Sequence, residues 1–338
     1  MAVPNPKVSI IVLNWNNWKD TLECLESLYQ IVYSDYDVIL VDNGSEDGSI
    51  EKTREFCEGK IEVKSNFFEY DPSNKPIIMI EYDEEKAEAG GNGAKEIKDL
   101  PSNSKLILIK NEKNYGFAKG NNIGVRYAMK ALNPGYVLLL NNDTVVERDF
   151  LSELVKVGES NSKIGAIGPN IRLYSDKQRA QIKGYEKFDS VGEVNTLSGA
   201  CLLIKTEILK KVGLLDENYF IYGEDRDFCE RIRECGYVNV YVPKVKVYHK
   251  LELSTRDFPG FRTYYMIRND FLIIRRYKKG MKSLKYVIRE SQIIKFAKTI
   301  ILKGAIEIVP YFIKRVIDGF RLYVKNPPKP SIIKDAEA

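Results

Sequence analysis

The chain has 338 residues, with 52 Lys and Arg against 47 Asp and Glu, five cysteines and a single histidine. That length admits one large α/β domain with an appendage and a substantial core. Cys24, Cys57, Cys201, Cys229 and Cys235 include no Cys-x-x-Cys pair, which argues against a disulfide framework or a structural zinc site. The opening Met-Ala-Val-Pro-Asn-Pro lacks the basic start and apolar run of a secretory signal, so the expected setting is reducing and cytoplasmic.

In chain order, Val8 to Leu13 reads as a buried strand ending in Asn14, Trp15, Asn16 and Asn17, and a helix follows from about Asp20 with Leu22, Leu25 and Leu28 on one face. Asp37 to Val41 is a second strand, ending in the polar loop from Asp42 to Ser49 and a helix to about Phe56. Strand, helix, strand, polar loop, helix is how nucleotide-binding α/β domains begin. Asp42 has two readings: an acceptor for the imide N–H of uracil or thymine, or the first residue of an Asx-turn. No Gly-x-Gly-x-x-Gly follows the first strand and no Gly-x-x-x-x-Gly-Lys-[Ser/Thr] occurs, so a dinucleotide dehydrogenase and a P-loop enzyme are disfavoured.

Residues 59–104 read as an insertion: Ile61–Lys64 and Ile77–Ile80 as two strands about a turn at 71–76, then an acidic, glycine-rich run from Glu81 to Gly93 expected to be a mobile loop. Leu106–Ile109 is a short buried strand. After it, Gly116 and Gly120 permit close backbone approach, and the N-terminus of a helix from about Lys119 suits a nucleotide or simply follows a tight turn. Tyr136 to Leu140 runs apolar into Asn141, Asn142 and Asp143, which describes a fully buried strand with a polar tip where open α/β sheets hold ligands. Asp143 is either a ligand for a divalent ion that grips phosphate oxygens or part of a turn before a helix cap. The polar segment 177–192 reads as a loop that can face an acceptor, and Leu197–Ile204 as a strand with a small-residue start.

Glu224, Asp225 and Asp227 open a helix that carries Phe228 and Ile232 on one face. The helix dipole favours acids there, but that accounts more easily for one or two than for three. His249, the only histidine, ends a strand; a neutral imidazole beside carboxylates suits Mn²⁺ or Zn²⁺ better than Ca²⁺.

Taken together, Val8-Ser-Ile-Ile-Val-Leu-Asn-Trp-Asn16, Val41-Asp-Asn-Gly-Ser45, Asn114-Tyr-Gly-Phe-Ala118 with Gly120-Asn-Asn122, Leu140-Asn-Asn-Asp-Thr144, Ser198-Gly-Ala200, Glu224-Asp-Arg-Asp227 and His249 resemble a family 2 glycosyltransferase of the GT-A fold, most of all its rhamnosyltransferase-like branch, over roughly residues 7–276. The resemblance implies an α/β fold, a GT-A type nucleotide-binding mixed sheet flanked by helices. It implies that Asp42 contacts the base and that Asn14, Asn16, Asn114, Gly116, Phe117, Asn121, Asn141 and Asn142 line the nucleotide. Asp143 and His249 would hold Mn²⁺ or Mg²⁺, Asn141 standing where the family's Asp-x-Asp motif has its first aspartate. Asp225 would be the catalytic base, with Glu224 beside it near the acceptor. The implied partners are a UDP- or dTDP-sugar donor, dTDP-rhamnose included, and a glycan or lipid-linked acceptor.

The expected layout is a catalytic domain over 1–255, a basic helical extension over 256–325 and a disordered tail over 326–338. From Arg256 onward 19 Lys and Arg face 7 Asp and Glu, a net +12, while the rest of the chain carries −7. Beyond Lys282 the apolar residues Leu284, Val287, Ile288, Ile294, Ile301, Ile308, Phe312, Val316 and Phe320 recur with Lys and Arg between them, Pro310 interrupts them, and no uncharged run approaches the roughly 20 residues that span a bilayer. Such a segment lies peripherally on an anionic cytoplasmic membrane face or packs on the body or a second subunit. Its aromatics fall among aliphatics, unlike a base-stacking surface, which argues against nucleic acid. A sugar nucleotidyltransferase would carry a glycine-rich, arginine-containing loop after the first strand, where Asn14 to Trp18 stand instead. The sequence sets no oligomeric state.

Overall fold

The computed structural model describes residues 5–91, 100–182 and 185–251, and positions 265, 266, 268–270, 272, 273, 276 and 277. They fall into two compact units, Met1–Phe220 with Glu224–Ser254, and Ile221–Gly223 with Thr255–Ala338. In the second unit the described positions from 265 are helical, and the buried Asn269 amide donates to Ile221 O at 2.8 Å and to Tyr222 O. Apart from those positions, the extension expected over 256–325 and the tail over 326–338 lie outside the described residues.

The first unit opens with β1 (Val8–Asn14), α1 (Trp18–Tyr29), β2 (Tyr36–Asp42), α2 (Ser49–Cys57), β3 (Ile78–Asp83), α3 (Glu84–Ala89), β4 (Lys105–Lys110), α4 (Gly116–Tyr127), β5 (Tyr136–Asn141) and β6 (Thr144–Val146). It continues with α5 (Phe150–Glu159), β7 (Ile164–Leu173), β8 (Asp176–Ala180), β9 (Gly192–Val194), β10 (Cys201–Lys205), α6 (Thr206–Val212), α7 (Glu224–Glu234) and β11 (Val238–His249). The inner strands are largely apolar on both faces because both sides of the sheet are covered. Ile10, Leu40, Leu108 and Leu138 pack with α1, α2 and α5 on one side, while Ile11, Ile39, Ile107 and Leu139 pack with α4, α6 and α7 on the other.

The strand order is β3-β4-β2-β1-β5-β10-β7-β11-β6, with β8 beside β7 and β9 beside β11. From β3 to β5 all neighbours are parallel, β10 is antiparallel to β5 and β7, and β11 is parallel to β7. This mixed sheet has a direct consequence. The carboxyl ends of β2, β1 and β5 stand side by side, Asn14 opposite Asp42 and Leu13 opposite Asn141. Antiparallel β10 brings its amino end to that edge, with Cys201 opposite Leu140, and β11 brings its carboxyl end, His249.

Three stretches differ from expectation. Ile61–Lys64 forms no strand, while the strand expected at Ile77–Ile80 forms as β3, Ile78–Asp83, at the edge of the main sheet. The acidic run folds as α3: Asp83 accepts from Lys86 N at 2.8 Å, Gly90 closes the helix at φ 97°, and Arg126 grips Glu88 with Nε and Nη2 at 2.6–2.9 Å. Acids that repel in an isolated peptide thus find a cation on α4; residues 92–99 lie outside the described residues. Of the segment expected to loop over 177–192, residues 177–180 belong to β8, which pairs with β7, and Gly192 begins β9, while the described residues between them are irregular apart from a single turn at Tyr185–Lys187.

Candidate active site

Asp42 ends β2 with both oxygens engaged: Asn14 Nδ2 donates to Oδ1 at 2.8 Å and Ser45 N to Oδ2 at 2.9 Å. Asp42 thus bonds the N–H three residues on, one further than in an Asx-turn, and an ionised carboxylate, with about four lone-pair sites, retains capacity for a ligand donor. Asn14 is buried and orients its neighbours, for its Oδ1 accepts from Thr21 Oγ1 at 2.9 Å and from Asn142 Nδ2 at 3.1 Å. Asn142 also donates to Thr21 Oγ1 at 2.9 Å, so both amides are spent on joining β1, α1 and β5. Asn16, at φ 50°, clasps the Asp42 loop: its N–H donates to Ser45 Oγ at 2.9 Å and its Oδ1 accepts from Glu46 N at 2.7 Å.

The next two residues of the tip face β11. Asp143 Oδ1 stands 3.0 Å from His249 Nε2, and Asn141 Nδ2 stands 3.2 Å from the same nitrogen. The other ring nitrogen, Nδ1, donates to Gln181 Oε1 at 2.8 Å, which leaves Nε2 as the lone-pair nitrogen. Asp143 and His249 are 8% and 6% exposed, and Asn141 Oδ1 is buried with no partner. Two lone-pair donors held 3.0 Å apart in a dry setting call for a cation or a proton between them, and 3.0 Å is the spacing of adjacent ligands at about 90° on an ion with bonds of about 2.1 Å. Among the described residues no group of three or more His, Cys, Asp or Glu is arranged to hold a metal by itself. The pair therefore suits a divalent ion only with further ligands from outside the described side chains. Lys250, next in sequence, is paired through Nζ with Asp20 and Glu23 of α1, and these two hydrogen bonds outweigh burial and raise its pKa.

Asp225 reaches the same edge through β10. Its Oδ2 accepts from Gly199 N at 3.0 Å, its Oδ1 from Arg226 N at 2.7 Å, and the neighbouring Ala200 O accepts from Asn141 N at 2.9 Å. A side chain on residue 199 would place its Cβ 3.4 Å from Asp225 Cβ and 3.5 Å from the Phe117 ring, so the small residue keeps this corner open. Burial raises the Asp225 pKa against the pull of those N–H groups. Burial, then the charge of Asp225, raises Glu224 well above its usual range, and Glu224 Oε2 has no partner. The N–H donors of Asp225 favour its charged form, while burial favours the protonated form of Glu224. Asp227 is different: it is buried in an ion pair with Arg231 Nε at 2.8 Å, and Arg231 in turn caps Val212 O and Leu214 O.

The loop before α4 is shaped by Asn43 and Asn114. Asn114 Oδ1 accepts from Gly116 N at 2.8 Å and from Asn43 Nδ2 at 2.9 Å. Gly116 is required by φ 83° and because a Cβ there would lie 2.4 Å from Phe220 O, the atom that accepts from Phe117 N. Asn121 is buried, and its Nδ2 donates to Phe117 O at 2.9 Å within its own helix. Thr21 and Gln181 were not singled out from sequence, and Asn43 and Ser45 stood only within the Val41–Ser45 match; each has a partner far along the chain, Asn142 121 positions from Thr21, Asn114 71 from Asn43, Asn16 29 from Ser45 and His249 68 from Gln181. Gly199 was marked by the small-residue start of the β10 segment and by the Ser198-Gly-Ala200 match.

The family model described as "Glycosyltransferase like family 2" matches residues 69–265, and "Glycosyl transferase family 2" matches residues 9–70. The chain is 27% identical over 253 residues to the dTDP-rhamnosyl transferase RfbF of Shigella flexneri, covering 67% of this chain and 82% of that one. It is 25% identical over 195 residues to the low-salt glycan biosynthesis hexosyltransferase Agl10 of Haloferax volcanii, covering 53% of this chain and 62% of that protein's length. Its fold is similar to that of the mannosyltransferase PcManGT from Pyrobaculum calidifontis, solved with GDP-Man and Mn²⁺, with a TM-score of 0.57, 16% identity, and coverage of 95% of this chain and 88% of that one. The chain belongs to glycosyltransferase family 2 and has a GT-A fold.

Proposed function

We propose that the chain transfers a rhamnosyl or hexosyl group, with inversion, from a UDP- or dTDP-sugar to a glycan or lipid-linked acceptor. The observation that carries this reading is Asp225, held by two backbone N–H groups beside the buried Glu224, at the sheet edge that also bears the Asp143–His249 pair. Asp225 takes the proton of the acceptor hydroxyl as that oxygen bonds to the anomeric carbon. The bond from this carbon to the diphosphate oxygen breaks, and the nucleoside diphosphate leaves with the electron pair. Asp42 accepts the imide N–H of the base through a free lone pair, and the Asn114–Phe117 loop borders the nucleotide. Mn²⁺ or Mg²⁺ held by Asp143 and His249, when bound, supplies positive charge against that developing on the diphosphate. Asn14, Asn16 and Asn142 keep Asp42 and the tip of β5 in place, and Asn121 holds the turn at Phe117. The basic sequence from Arg256 onward supports a membrane-associated acceptor through contact with anionic lipid.

The test is Asp225→Asn. Turnover should fall by about 10² to 10⁴, the usual worth of a positioned base. The rise in melting temperature given by the donor nucleotide sugar should stay, because tight ligands stabilise the fold by mass action. Full turnover in the variant removes Asp225 from the role. In the same panel, UDP- and dTDP-sugars should stabilise the chain more in the presence of Mn²⁺ or Mg²⁺; stabilisation by GDP-sugars alone overturns the assignment of Asp42.

A further inference from the structure

Within the proposed metal-assisted reading, on which this inference rests, we infer that Gln181 is the positioning residue that sets His249 for metal ligation. The hairpin of β7 and β8 grips residue 249 twice. Leu173 is opposite His249 in the parallel pairing of β7 with β11, and Tyr174 N donates to His249 O at 2.9 Å, which fixes the backbone. The chain then returns along β8, Gln181 N donates to Ile171 O at 2.8 Å, and the Gln181 side chain meets the imidazole, Nδ1–H to Oε1 at 2.8 Å. An amide oxygen only accepts, so the proton stays on Nδ1 and the Nε2 lone pair faces Asp143 Oδ1 at 3.0 Å. A ligating imidazole ordinarily has its other N–H held in this way, and loss of such a partner costs about 10- to 100-fold in metal affinity.

No motif marks Gln181, because it lies 68 positions from His249 and acts only through the hairpin. The role requires an acceptor at this place and nothing else. A near-isosteric side chain without an acceptor should therefore fail, and a carboxylate should serve.

The experiment measures Mn²⁺ alone on the full chain, the free ion being read by electron paramagnetic resonance, for wild type, Gln181→Met, Gln181→Glu and Asp143→Ala. Gln181→Met should weaken Mn²⁺ binding about 10- to 100-fold, and Gln181→Glu should restore the affinity. If Asp143→Ala loses Mn²⁺ but Gln181→Met keeps wild-type affinity, or Gln181→Glu binds as poorly as Gln181→Met, the inference fails alone. If wild type and Asp143→Ala bind Mn²⁺ alike, the metal reading falls and this inference with it. A lower melting temperature of metal-free Gln181→Met, matched by Gln181→Glu, overturns it in favour of a purely structural contact.

Discussion

At the scale of single residues, the adjacent carboxyls Glu224 and Asp225 differ in what their oxygens touch. Asp225 has the N–H groups of Gly199 and Arg226, and Glu224 Oε2 has none. Glu224 is therefore held above its ordinary 4.5 by burial and then by the Asp225 charge. The folded chain keeps a proton that the unfolded chain releases near pH 4.5, so this group contributes stability that is complete below that pH and is lost as pH rises toward the folded value. Glu224→Gln removes that loss. Its urea midpoint relative to wild type should climb as pH is raised from 4 to 8, while at the acid end the two chains converge. A difference that stays flat with pH would mean that Glu224 is ionised in the folded chain. Much of this site was readable as residue types, since Asn-Asn-Asp, Glu-Asp-Arg-Asp and the lone His249 stand out in the chain. Which amide contacts ligand and which braces its neighbour was not readable. Asn14, Asn142 and Asn121 are turned onto protein partners that only the folded chain supplies.

At the scale of elements, the buried strands were legible because a two-sided sheet imposes continuous apolar runs, as in Val8–Leu13 and Tyr136–Leu140. The segment between α2 and β4 was not, because its fold is dictated by partners distant in sequence. Its attachment centres on Glu26 of α1, whose carboxylate accepts from Lys75 Nζ at 2.9 Å, Asp71 N at 3.1 Å and Gln30 Nε2 at 2.9 Å. The Glu26 and Lys75 side chains are 0% and 5% exposed, and the Lys75 ammonium lies 4.1 Å from the centre of the Phe56 ring. Removing one partner of a buried pair leaves the other charge desolvated, at a cost of about 3–5 kcal/mol. Glu26→Ala should lose stability in that range by urea denaturation and become sensitive to limited proteolysis between residues 59 and 77. Replacing both members, as Glu26→Gln with Lys75→Met, should recover a good part of the loss, because no bare charge then remains. A Glu26→Ala chain with wild-type stability and the wild-type digest would show that the pair does not anchor the segment.

At the scale of the whole molecule, charge is divided unevenly along the chain: −7 before Arg256 and +12 from there onward. Among the described residues no helix is long and apolar enough to cross a membrane. The sequence beyond Lys282 interleaves Lys and Arg with aliphatics, as a surface-lying amphipathic segment does. An acidic catalytic unit is repelled by an anionic surface, so any attraction has to come from the basic part, at about 1 kcal/mol for each Lys or Arg that reaches the headgroups. Such attraction is screened within a Debye length of about 10 Å at 0.1 M salt. The full chain should therefore sediment with vesicles containing phosphatidylserine at low ionic strength, release as salt is raised, and ignore purely zwitterionic vesicles. The chain ending at Gly280 should stay in the supernatant throughout while still being stabilised by the donor nucleotide sugar. Equal sedimentation of the two chains would remove the membrane role. A truncated chain that changes its oligomeric state instead would assign the basic segment to a contact between copies.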